Sequence, residues 1–292
     1  MIIPTYNAGP YLRESIDSIL GQTIEEPEII VVDDGSTDDT PEILQAYGDR
    51  LRVLHGSHQG LSAARNLGLR HAGGRWVAFH DADDVAVDRR LELSVAFLES
   101  HPAYDAVFFN GLRTGLADAP TARVVPGRFA GTPLTSASVF AGYPVYFQGA
   151  VVPRAVFLAC GPFDPRYQVQ PDLAYGYRIY SHCRATFLDE VVFHYRWHST
   201  NMTRDRLAVR EDIVRILEDL GGAAPTAVAE IGANTLRRRI ARHHYRIGRI
   251  RLARKDRDGA RRAFRRAVAL HPFHPRYQWA RLRHALGRDQ TR

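Results

Sequence analysis

Apolar positions along the first 110 residues follow two alternating rhythms. Short, mostly apolar runs at 2–5, 28–33, 51–55, 75–80 and 104–109 read as strands, and 28–33 is nearly continuous, as a strand buried on both faces should be. Between them, the segments 11–22, 40–47, 61–71 and 88–100 carry apolar residues at helical spacing. Leu12, Ile16, Ile19 and Leu20 share one face of the first, and Leu91, Val95 and Leu98 one face of the last. Pro41 suits the first turn of the second. Strands alternating with helices predict βαβ units, and therefore an α/β fold with a parallel sheet covered on both faces.

Beyond residue 110 the rhythm weakens. Residues 111–150 are rich in Gly, Pro, Ala and Thr, with a strand predicted at 145–152. A short helix is predicted at 172–180, after Pro171, and strands at 185–188 and 191–197. From 204 to the end the pattern is helical, with a break near 221–225.

Three polar clusters fall where predicted strands end: Thr5-Tyr6-Asn7, Asp33-Asp34-Gly35-Ser36 and Asp81-Ala82-Asp83-Asp84. Ligands of open α/β sheets bind beyond the carboxyl ends of the strands. Crowded carboxylates raise each other's pKa unless a cation neutralises them. Mg²⁺ and Mn²⁺ take oxygen ligands, usually one or two carboxylates plus substrate phosphates. The 81–84 cluster therefore reads as a metal–diphosphate site, with an Asp-rich surface turn as the plain alternative.

Composition sets outer limits. With 45% hydrophobic and 24% charged residues among 292, the chain is ordinary globular protein. The two cysteines, Cys160 and Cys183, lack metal-type spacing and suit free thiols in a reducing compartment. No apolar run approaches the roughly 20 residues of a membrane helix. The N-terminus has no basic segment followed by an apolar one, so a cytoplasmic protein is expected. The net charge of +7 is unevenly distributed. Residues 237–292 hold 19 Lys+Arg against three acids, a balance of +16, whereas 1–236 hold 20 against 29, or −9. That split predicts an acidic front part and a basic appendage.

Four motifs in order carry a family resemblance: Ile3-Pro4-Thr5-Tyr6-Asn7, Val31-Val32-Asp33-Asp34-Gly35-Ser36-Thr37-Asp38, Gly60-Leu61-Ser62-Ala63-Ala64-Arg65-Asn66-Leu67-Gly68, and Asp-x-Asp-Asp at 81–84. Together they resemble the glycosyltransferase family 2 signature, and more weakly so to about residue 203. The resemblance implies a GT-A fold, a Rossmann-like mixed, mainly parallel sheet flanked by helices. It implies transfer of a sugar from a nucleotide-diphosphate donor with inversion, in a domain spanning 1–204.

The same resemblance implies roles. Nucleotide contacts are expected from Pro4, Thr5, Tyr6, Asp34, Arg65 and Asp83. Tyr6 would stack on a pyrimidine, Asp34 would accept the uracil N3–H, and Arg65 would reach phosphate or base. A divalent cofactor, Mn²⁺ or Mg²⁺, is expected on Asp81, Asp83 and His198. The general base is expected at Asp172, in Gln170-Pro171-Asp172, where Pro171 replaces the first acid of the family's usual pair. The expected donor is a UDP-sugar, with GDP- and dTDP-sugars open, and the acceptor a glycan or lipid-linked hydroxyl. The alternative is a nucleotide-sugar-binding scaffold without turnover. A sugar nucleotidyltransferase is disfavoured, because its Gly-rich phosphate loop is absent.

The remainder, 205–292, is expected to be an all-α extension. Within 242–271, Gly248, Ala260, Phe264, Ala267 and the following Pro272 resemble one tetratricopeptide-type helix pair. Such pairs are stable in stacks of about three or more. This pair must therefore lean on the catalytic domain, on the residues around Trp279, or on a partner. Its Arg-rich face suits contact with an anionic membrane surface or a protein partner through 237–292, with a solvated face partly neutralised by the acidic front part as the plain alternative. Nucleic acid is disfavoured, since no aromatic reading motif accompanies the charge.

Overall fold

The computed structural model describes residues 1–115, 122–126, 129, 131, 133–142 and 145–285. The last seven positions of the basic extension, and several within 111–150, lie outside the described residues. The chain forms two compact units, Met1–Ser136 with Tyr143–Ser199, and Ala137–Gly142 with Thr200–Arg292.

The first unit begins with three parallel strands, β1 (Ile2–Thr5), β2 (Ile30–Asp33) and β3 (Arg52–His55), side by side in that order. Helices α1 (Gly9–Leu20), α2 (Thr40–Gln45) and α3 (Leu61–His71) alternate with them. The stripe read from the sequence is the buried one. Leu12, Ile16 and Ile19 pack with Ile3, Val31, Ile43 and Leu44 in one core cluster. Register brings Thr5 opposite Asp33, and Asp33 opposite His55, so all three leave the sheet at one rim.

The predicted strand at 75–80 is shorter than expected. β4 (Trp76–Val77) ends early, and the chain then meets β1 only at Ile2, opposite Phe79. The Ile2 N–H donates to Ala78 O at 2.9 Å, and the His80 N–H to Ile2 O at 3.0 Å. Residues 81–84 turn out of the sheet there, so no longer ladder can form, and the acidic cluster emerges at the same rim as Thr5. β5 (Val85–Ala86) and α4 (Arg90–Ser100) follow.

The second sheet is mixed. β6 (Ala106–Thr114) carries the short β7 (Ala122–Arg123) on its edge, β8 (Pro133–Leu134) pairs further along the sheet, and β9 (Ala150–Pro153) lies between β4 and β6. The expected strand from 145 starts only at Ala150, after a helical turn at Phe147–Gly149. Helix α5 (Ser136–Ala141) belongs almost wholly to the second unit, while α6 (Arg154–Cys160) and α7 (Pro171–His182) belong to the first. The two strands predicted at 185–197 are one, β10 (Ala185–Arg196), parallel to β6. Its register shifts between Leu188 and Phe193, where a bulge interrupts the apolar alternation.

The second unit is helical: α8 (Arg206–Ala223), α9 (Pro225–Ile231), α10 (Ala233–Ala253), α11 (Arg257–Leu270) and α12 (Pro275–Ala285). Asp205 and Asp256 cap α8 and α11 by accepting backbone N–H groups. In the α10–α11 pair, a Cβ at Gly248 would sit 2.5 Å from the Phe264 ring, so only glycine permits this approach. The pair does not stand alone. Glu211 and Glu218 of α8 hold Arg251 and Arg266 at 2.6 and 3.1 Å. On the other side Tyr277 and Ala280 of α12 join its core, whereas Trp279 is 61% exposed. Among the described residues, no helix is long and apolar enough to cross a membrane.

Among the described residues, each unit buries one histidine. Burial, and then the neighbouring Arg90, lower His80 from 6.5 to about 3. Burial, then Arg210, Arg239, Arg246 and Arg242, lower His243 to about 3. Both rings are neutral when folded, while the unfolded chain takes up protons near 6.5, so stability is full above that pH and falls as pH drops toward 3. Between pH 6.5 and 5 each histidine is expected to remove about 2 kcal/mol. Urea titrations at stepped pH check this, and a flat profile over that window contradicts it.

Candidate active site

One end of the candidate site is built at the rim of β1–β3. Pro4 is buried inside β1, opposite Val32. Thr5 is 4% exposed, and its Oγ1 has no hydrogen-bond partner among the described residues. A buried hydroxyl left unpaired is costly, which makes it a natural partner for a ligand. Tyr6 is 44% exposed and stacks on His58, with ring centroids 4.2 Å apart. Asn7, at φ +50°, accepts the Thr37 N–H at 2.8 Å and so ties the first loop to the second. Asp33 supports its own loop by accepting the Ser36 N–H at 3.0 Å. Asp34 is buried and accepts the N–H groups of Gln59 and Gly60 at 3.0 and 2.6 Å. It therefore anchors the start of α3, where the helix dipole favours a carboxylate. Gly60 adopts φ +90° at that junction, a conformation costly for other residues.

The centre of the site is Arg65 on α3. It is 1% exposed, and its guanidinium lies 5.1 Å from the Phe79 ring centroid and 5.5 Å from that of Phe163. Tyr175 stacks on Phe163 at 3.7 Å and completes the aromatic wall. One terminal nitrogen of Arg65 pairs with Asp172 Oδ1, and the other with Asp81 Oδ1 at 3.3 Å. Burial pulls the guanidinium toward neutrality, but Asp172 and then Asp81 more than offset this and hold it charged. Asp172 stands in the first turn of α7, yet it does not cap that helix. Its second oxygen accepts the Phe147 N–H at 3.0 Å.

The acidic loop is clamped from behind. Gln148, 2% exposed, donates through Nε2 to both Asp81 and Asp84, and accepts the Asp81 N–H at 3.1 Å. Asp84 is fully buried and also accepts the Arg196 N–H at 2.8 Å. Burial, then Asp83 and Asp81, push its carboxyl well above the usual range. Asp84 thus holds the loop. Asp81 and Asp83, at 31% and 28% exposure, open to solvent. Asp81 is raised to about 6, first by its poorly hydrated recess and then by Asp83 and Asp172, with Arg65 opposing. Asp83 pairs with His198 Nε2 at 2.8 Å, and His198 stacks on Tyr11.

The geometry bears on two of the expected roles. Arg65, expected at the phosphate or base, is buried, with its two arms taken by Asp81 and Asp172. Asp81, Asp83 and His198 do not form one three-ligand set, since no group of three His, Cys, Asp or Glu converges among the described residues. Gln148 and Arg65 turn Asp81 one way, while His198 holds Asp83. Arg178 binds the Pro162 carbonyl at 2.7 Å, and Asp164 pairs with Arg166. Gln148 escaped sequence reading altogether, because it lies in an aperiodic stretch and only the fold brings it to the acidic loop.

Comparison with known proteins points to one family. Residues 1–123 match the family described as Glycosyl transferase family 2. That segment, less than half of the chain, is similar to glycosyltransferase family 2 domains. An uncharacterised glycosyltransferase of Rickettsia prowazekii is 29% identical over 221 residues, covering 73% of this chain and 69% of its own. GlyG, a glycosyltransferase of Streptococcus pneumoniae, is 42% identical over 96 residues, 32% of each chain. The matched part spans only 17% of the relative from Rickettsia bellii, at 37% identity over 37% of this chain. Among solved structures, S. aureus TarS 1–349 in complex with UDP superposes with a TM-score of 0.68 at 19% identity, covering 97% of this chain and 86% of that one. The mannosyltransferase PcManGT from Pyrobaculum calidifontis, in complex with GDP-Man and Mn²⁺, gives 0.60 at 20% identity, covering 97% and 83%. The first unit has the GT-A fold of these neighbours, and helices follow it in the chain.

Proposed function

We propose that the chain transfers a sugar from a UDP-sugar to an acceptor hydroxyl, with inversion and with the aid of a divalent cation. The observation that carries this reading is the Arg65 fork. It fixes Asp172, the candidate base, one guanidinium width from Asp81, at the mouth of the acidic loop. A donor diphosphate at Asp81 and Asp83 would leave its anomeric carbon open to a hydroxyl whose proton Asp172 takes. Asp172 keeps 19% exposure, enough to meet that hydroxyl. Tyr6, the unpaired Thr5 hydroxyl and Asp34 would hold the nucleoside. The likeness to a chain solved with UDP supports the choice of nucleotide.

The donor set suits a small hard cation. Mg²⁺ and Mn²⁺ are commonly held by one or two carboxylates with substrate phosphates, and Asp81 and Asp83 are the two open to solvent. His198 would then position Asp83. When bound, the cation supplies Lewis-acid stabilisation of the departing diphosphate. The neighbour solved with Mn²⁺ supports this use. We place the end of the transferase domain near residue 204, with 205–292 as its helical extension.

The test is a panel of UDP-sugars with simple glycoside acceptors, assayed with Mn²⁺ and with EDTA, the product anomer being read by NMR. The expected result is a product of inverted configuration whose formation falls by about tenfold or more with EDTA. A retained configuration, or donor binding without turnover under every condition, would sink the proposal, the latter favouring a scaffold.

A further inference from the structure

We propose that the facing arginines of α8 and α10 form a binding site for a ligand bearing two or more phosphates, built from the second unit alone. Arg206 and Arg210 share one face of α8, four positions apart, and Arg239, Arg242 and Arg246 recur at helical spacing on α10, which packs against α8. Other arginines of this unit meet acids: Arg251 meets Glu211, Arg254 meets Asp205, Arg261 meets Asp258 and Arg266 meets Glu218. No carboxylate pairs with any of the five among the described residues.

A merely solvated basic face would leave its charges in water. Here Arg210 and Arg239 are half-buried, and they repel their neighbours. Burial and then Arg246 and Arg206 lower Arg210, while burial and then Arg242 bring Arg239 to about 10. Arg239 is fixed in place by donating to the Val139 carbonyl. A second, independent feature points to a ligand. His243, set among Arg210, Arg239, Arg246 and Arg242, is 6% exposed, and its Nδ1 is buried without a hydrogen-bond partner. An array of like charges around an unsatisfied buried nitrogen is stable only at a cost that an anion removes. Guanidinium forks match phosphate bidentately. Arg239 to Arg246 spans about 10 Å of helix, room for two phosphates side by side. They can belong to neighbouring anionic lipid headgroups or to one soluble oligophosphate.

The full-length chain is titrated with inorganic tripolyphosphate, without divalent cation, by calorimetry and thermal shift. It is also floated with phosphatidylcholine vesicles containing or lacking phosphatidylglycerol. The double variant Arg210→Gln/Arg246→Gln is compared with Arg254→Gln/Arg266→Gln, which loses equal charge from paired arginines. The proposal expects wild type to bind, the first variant to bind about tenfold more weakly, and the second to bind nearly as wild type. It also expects the first variant to have the higher Tm in anion-free buffer, because repulsion is relieved. Flotation that follows the same order identifies lipid headgroups as the source. Tripolyphosphate binding without flotation identifies a soluble anion. Equal weakening in both variants, or no binding to either probe, overturns the proposal.

Discussion

Exchanging Arg65 for methionine is expected to lower the stability of the chain by about 3–5 kcal/mol, the range for removing one partner of a buried ion pair, and to abolish transfer. The guanidinium is 1% exposed and serves two carboxylates at once. Methionine fills much of the space between Phe79 and Phe163, so the loss is mainly of charge, leaving Asp81 and Asp172 facing each other without a cation. Arg65→Lys separates the two effects. A single ammonium keeps the charge but cannot span both acids as a planar fork does. It should therefore recover part of the stability and little of the activity. Urea denaturation and initial transfer rates measure both. A methionine variant as stable as wild type would remove Arg65 from the centre of this account.

The front of the fold was readable because β1 and β2 are enclosed and α1 buries one stripe. Ile3, Val31, Leu12 and Ile16 announce their own burial through spacing. The rim was readable for a similar reason: polar clusters at strand ends stand out against apolar runs. What the chain does not display is pairing over distance. Arg65 and Asp172 are 107 positions apart, and Gln148 and Asp81 are 67. A motif announces the residue type at 65, but not that Phe79 and Phe163 enclose it. The same limit explains the back sheet, where β9 inserts between β4 and β6, and β10, whose bulge looks like a break in sequence. Asp34 and Asp84 stand in polar clusters, and only the fold shows that both are buried and accept backbone amides.

The second large effect is expected at Asp172. Its change to asparagine should lower kcat by about 10²–10⁴-fold, the usual contribution of a positioned general base, while the KM for the donor changes little. Asparagine is the same size, so the aromatic wall and α7 remain in place. It has one acceptor oxygen where Asp172 uses two, toward Arg65 and the Phe147 N–H, so a stability loss of about 1–3 kcal/mol is expected as well. Steady-state kinetics separate the two parameters. A variant with undiminished kcat would assign the proton transfer elsewhere.

The cation-assisted grip of Asp81 and Asp83 on a donor's diphosphate is tested most directly by calorimetric titration of UDP into the wild-type chain and into Asp83→Ala, each with Mn²⁺ and with EDTA. Wild type is expected to bind about tenfold or more tightly with Mn²⁺ than with EDTA, and the variant to lose that difference. Equal affinity in all four titrations would contradict the account.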